Sequence, residues 1–130
     1  MSDEPENQEP VLEPKAMQLD DDGARAERIR TLNDDLRRTM NGGRVMMTDG
    51  FLNLRIDLWF MAFKLVQEFD DFSEDNDPHK EHDFGAFTCG GEKIFWKIDY
   101  YDKEYCRGSP DPADPEVTTR VLTILLASEY

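Results

Sequence analysis

The chain has 130 residues and a mass of 15.1 kDa, enough for one domain. Asp and Glu number 29 against 15 Lys and Arg, giving a net charge of −14 and a pI near 4.4; this argues against a direct nucleic-acid binder, which needs a basic footprint, and against docking on an anionic membrane. No apolar run reaches the about 20 residues that span a bilayer, the opening MSDEPENQEP has no apolar signal core, and two cysteines make no disulfide framework, so a cytoplasmic protein is expected.

Residues 1–22 hold eight acids against Lys15, together with Pro5, Pro10 and Pro14. Such a segment buries too little apolar area to offset chain entropy, and it is expected to be a disordered acidic tail ahead of a single domain over 23–130. Ile29, Leu32, Leu36 and Met40 then recur at helical spacing. Asp22 suits the N-cap and Asn41-Gly42-Gly43 the C-terminal stop. Glu27, Arg30, Asp34, Arg37 and Arg38 fall on the expected outer face, where they can pair locally.

Arg44–Thr48 is rich in Val and Met and reads as a short strand. A second helix is expected over Leu54–Phe69, although FLNLRIDLWF also alternates, which leaves its first turn open to an extended form. This helix is apolar almost all round, so it is either sandwiched in the core or offers a second apolar face to a partner. A polar loop follows over 70–81. HDFGAFTC and EKIFWKIDYY then flank Gly90-Gly91, the signature of a two-residue hairpin. In that register Phe87 faces Ile94, Gly85 faces Trp96, Phe84 faces Lys97 and His82 faces Asp99. Trp96 points inward over a glycine that leaves room for it. After the stiff RGSPDPADP loop, Asp114 and Pro115 suit the start of a final helix over Glu116–Ser128. The expected fold is α+β: a small antiparallel sheet, made of the hairpin and one short strand, packed with three helices.

The segments FDDFSEDNDPHKEHDFGAF (69–87), FWKIDYYD (95–102) and GSPDPADPEVTTRVLTILLASEY (108–130), with RIRTLNDDLRRTMNGGRVMMTDG (28–50), resemble a family of small uncharacterised bacterial proteins, a domain of unknown function carried on plasmids and conjugative or integrative elements. The resemblance implies a stand-alone cytoplasmic protein of mobile-element cargo. It implies no activity, substrate, cofactor or catalytic residue.

Candidate chemistry is sparse. Asp71, Ser73, Asp75 and Asp77 alternate like a calcium loop, but Asn76 and His82 stand where that loop needs Gly and a bidentate Glu. His79, Glu81, His82 and Asp83 could approach a divalent ion only through a bulge, because alternate strand residues point apart, so no metal and no cofactor is expected. His82 opposite Asp99, with Lys97 on the same face, is the best acid–base constellation; it also fits a structural pair on a half-exposed sheet, which is the commoner arrangement. Ser109, Thr118 and Cys89 have no base spaced to activate them.

Binding by charge remains. Residues 68–83 hold eight acids against Lys80. The first expectation is therefore a non-enzymatic acidic interaction module, holding a basic protein partner through Asp70, Asp71, Glu74, Asp75 and Asp77. The rivals are a small hydrolase or nuclease-like enzyme using His82 and Asp99, and a structural homodimer formed through the apolar second helix.

Overall fold

A computed structural model describes the backbone of residues 5–130 and the side chains from Asp22 onward. The tail expected over 1–22 falls, apart from Asp22, outside the described side chains. The helical stripe read from the sequence is real: Ile29 and Leu36 are buried on α1 (Pro5–Thr39), with Leu32 and Met40 half-buried. α1 is continuous through Asp22, which therefore does not cap it. It ends at Thr39, where Met40 turns to a positive φ of 61° and Gly42 to 100°. The strand β1 (Arg44–Met47) follows.

Thr48 then caps a single turn, α2 (Asp49–Leu52), by accepting a bond from the amide of Phe51, and so buries that ring. Asn53 closes the turn, Arg55 is extended, and α3 (Ile56–Glu68) starts two residues later than expected. Ala62 and Val66, one turn apart, are the buried positions of α3.

The hairpin forms as read. β2 (Phe84–Cys89) and β3 (Glu92–Tyr101) pair antiparallel around Gly90-Gly91, with Phe84 opposite Lys97, Gly85 opposite Trp96 and Phe87 opposite Ile94. Both turn glycines have positive φ, at 61° and 81°. Ile94, Trp96 and Ile98 are buried together with Leu36, Phe51, Ala62 and Val66, which places the helices on that face of the sheet.

The C-terminal segment corrects the expected final helix. Asp114 and Pro115 open only a single 3₁₀ turn, Pro115–Val117, and residues Thr119–Leu126 form a strand, β4. Helical and continuous apolar patterns cannot be separated in so short a run. Here the β-branched Thr119, Val121, Thr123 and Ile124 fit a central strand, and the sheet needs one. β4 lies between β3, which it pairs antiparallel, and β1, which it pairs parallel. The order is β1-β4-β3-β2, so the fold is α+β as expected, but the four-stranded sheet is mixed rather than antiparallel. Arg44 faces Val121 and Met47 faces Ile124, so β1 is joined to the hairpin only through β4. Leu122 and Ile124 complete the core from this strand.

Candidate functional site around His82 and the acidic loop

Helix α1 carries polar residues inside its buried stripe. Asn33 and Arg37, four residues apart, are fully buried, which corrects the placement of Arg37 on the outer face. The Arg37 guanidinium caps the end of α3: Nη1 donates to the carbonyls of Val66 at 2.9 Å and Phe69 at 2.8 Å. Those carbonyls lie at the negative end of the helix, where the Phe69 amide also bonds the Val66 carbonyl at 3.4 Å, so a cation is the natural partner. Nη2 donates to Asp34 at 2.8 Å, and the guanidinium lies against the rings of Trp96 and Phe72. Burial pulls the Arg37 pKa below its ordinary value, against the opposing pull of Asp34.

His82 meets the same carboxylate. Its Nδ1 lies 2.9 Å from Asp34 Oδ1, and its Nε2 lies 3.6 Å from Asp77 Oδ2. A carboxylate only accepts, so Asp34 places a hydrogen on Nδ1. The imidazole is stacked on Phe72, with centroids 3.7 Å apart and planes within 4°. His82 is not in β2: its φ is 55°, the ladder stops at Phe84, and the last bond is from the Ile98 amide to the Asp83 carbonyl.

The pairing of His82 with Asp99 is therefore not formed. Phe72 also packs edge-on against Trp96, so His82 lies on the helix side of the sheet. Asp99, one of the residues alternating with Ile94, Trp96 and Ile98, lies on the opposite side. There it holds Lys97 at 2.7 Å, and that bond raises the Lys97 pKa. The sheet stands between the imidazole and the carboxylate.

Around His82 the loop is bolted to α1 and to its own backbone. Asp77 is buried, and its Oδ1 accepts from the amides of Glu81 and His82, both at 3.0 Å. Asn33 donates to the Glu81 carbonyl and to the Tyr100 hydroxyl, and accepts from Arg120 Nε at 2.8 Å. Tyr100 donates in turn to Glu81, and burial raises its pKa. Arg30 donates to the Lys80 carbonyl. Lys80 and His82 take positive φ under these bonds, a signal no residue type announced. Burial, with Glu81 nearby, also raises the pKa of Asp83.

The five acids expected to meet a partner divide accordingly. Asp70, Asp71, Glu74 and Asp75 are exposed, whereas Asp77 is a buried tie of the loop. The loop between them is held by Asn76, which donates to the Asp71 carbonyl and accepts from the Ser73 amide, both at 2.8 Å. An open cleft of about 290 Å³ lies beside it, lined by Arg30, Phe72, Ser73, Glu74, Asp77, Lys80 and His82. His79, Glu81, His82 and Asp83 do not converge, and no group of three acidic, His or Cys side chains could hold a metal among the described residues. Ser109 and Thr118 bond to each other and brace the proline-rich loop. Cys89 is buried and Cys106 exposed, both free thiols.

A family profile described as "Protein of unknown function (DUF3768)" matches residues 33–129, most of the chain. The chain belongs to the DUF3768 family. The match begins at Asn33, so it covers Asn33, Asp34, Arg37, the acidic loop and all four strands of this DUF3768 chain. Comparison with curated proteins and comparison with solved structures each return no match. Among the described residues, no helix of the DUF3768 chain is long and apolar enough to cross a membrane.

Proposed function

We propose that this DUF3768 chain is a non-enzymatic acidic interaction protein of mobile-element cargo, which binds a basic protein partner through the exposed carboxylates of the 68–83 block. The carrying observation is that Asp70, Asp71, Glu74 and Asp75 are displayed on a loop whose backbone is already fixed by Arg37, Asn76 and Asp77. A fixed loop loses little entropy on binding, so its charge is available for affinity rather than for ordering itself. Clustered carboxylates also steer a basic partner toward the loop and speed encounter. The hydrolase or nuclease reading rests on a His82–Asp99 couple, and the sheet separates those two residues.

The test is affinity capture at low and high salt with the full chain as bait. The wild type should hold a basic protein that salt releases. A variant carrying Asp70→Asn, Asp71→Asn, Glu74→Gln and Asp75→Asn should lose it while keeping its circular dichroism spectrum. Equal retention by both baits would refute the assignment to this loop.

A further inference from the structure

Helix α3 has two apolar faces, and only one is covered. Ala62 and Val66 are buried against the sheet, but Ile56 is 61% exposed, Phe60 65%, Met61 51% and Leu65 39%. Phe60 and Met61 stand on the outward side of the helix with Ile56 and Leu65 at its two edges, and so much exposed apolar surface marks a contact surface. The charges on the same face cancel: Arg55 pairs with Asp57 at 2.7 Å, and Lys64 with Glu68 at 3.7 Å. A chain of net charge −14 repels its own copies over most approaches. This apolar, locally neutral face does not.

The charges on the face are self-complementary. At about 100° per residue, Asp57 and Lys64 lie on the outward centre line of the helix, Phe60 and Met61 stand on either side of it, and Ile56 and Leu65 lie at its two edges. Reversed end for end about a point between Phe60 and Met61, Asp57 meets Lys64, while Phe60 meets its own copy and Met61 its own copy. A two-fold axis performs that reversal, and it makes the Asp57–Lys64 contact twice.

We propose that this face of α3 seats a second copy of the chain, the two α3 helices packing antiparallel about the Phe60–Met61 centre. Each Asp57 then meets the partner's Lys64, so two charge pairs flank a central apolar cluster. A helix of 13 residues is about 20 Å long, which places the contact at the small, weak end of specific interfaces, with dissociation in the micromolar range. The antiparallel arrangement carries the two acidic loops, each following the end of α3, to opposite ends of the pair. The dimer does not depend on what those loops bind.

Sedimentation equilibrium of the full chain across the micromolar range tests it. A monomer–dimer equilibrium is expected, with Phe60→Glu weakening it at least tenfold. Asp57→Lys alone and Lys64→Asp alone should each weaken it as well, because each sets like charges opposite one another. The double variant should recover association, which a merely apolar patch without this register would not produce. All these side chains are exposed, and circular dichroism verifies that each variant is folded. A monomer at every concentration, a dimer indifferent to Phe60→Glu, or a double swap weaker than either single change would each overturn the proposal.

Discussion

The indole of Trp96 occupies the space that a side chain on Gly85 would need. A Cβ on Gly85 would stand 2.3 Å from Nε1 of the ring and 2.6 Å from Cε2. Trp96 is fully buried and wedged by Phe69, Phe72 and Arg37, so it has nowhere to retreat. Gly85→Ala should therefore destabilise the fold by about 1–3 kcal/mol, the usual cost of overpacking a filled core. Urea denaturation followed by Trp fluorescence reads this directly. An unchanged midpoint would mean that the two residues are not packed as described.

Arg37 ties α1 to the end of α3 and to Asp34. Replacing it with Met fills some of the volume but takes a donor from the Val66 and Phe69 carbonyls and leaves the Asp34 carboxylate short of a partner. Removing one member of such a buried pair costs about 3–5 kcal/mol. Arg37→Lys should fall in between, since one ammonium cannot span all three acceptors. Thermal or urea unfolding ranks the three proteins, and a Met variant as stable as the wild type would remove Arg37 from the account.

Asp77 and its exposed neighbours should behave differently. Asp77→Ala removes the acceptor of two loop amides and should cost about 1–3 kcal/mol. Asp71→Asn and Asp75→Asn, on the surface, should stay within about 0.5 kcal/mol of the wild type. Unfolding curves for the three variants decide the matter. If Asp71→Asn destabilises as much as Asp77→Ala, the division of the block into internal ties and displayed charges fails.

The chain end is latched by Glu129. Its carboxylate accepts from the Thr48 hydroxyl at 2.5 Å and from the amides of Leu126 and Gly50, and those bonds hold its pKa below the ordinary carboxylate value. A depressed folded pKa contributes stability above the unfolded value and loses it as pH falls through the folded one. Glu129→Gln should therefore be less stable than the wild type at neutral pH, and the two should converge in acid below the carboxylate range. A gap that stays constant with pH would assign the latch to packing rather than to charge.

Much of the fold is legible in the chain because its signals are local. Gly90-Gly91 fixes the hairpin register, so Trp96 and Gly85 follow from counting. The stripe Ile29–Leu36 fixes α1 and its buried side. What sequence reasoning missed depends on distant partners. Residues 119–126 carry an apolar run compatible with helix or strand, and only the open edges of β1 and β3 make them a strand. Arg37 reads as an outer-face charge because its acceptors, the end of α3 and Asp34, come together only in the folded chain. Extending the hairpin two residues past Phe84 puts His82 beside Asp99. Its bonds to the Asp77 and Asp34 carboxylates turn it out of the strand instead. The one local hint was Asp77 itself, a turn-former five residues ahead of His82.

The proposed function rests on the four displayed carboxylates, and association kinetics reach them most directly. The association rate of the captured basic partner should be measured against ionic strength for the wild type and for the Asn/Gln variant at Asp70, Asp71, Glu74 and Asp75. Steering by this loop predicts a rate that falls steeply with salt in the wild type and is slower and flatter in the variant. Identical rates and identical salt slopes in the two proteins would contradict it.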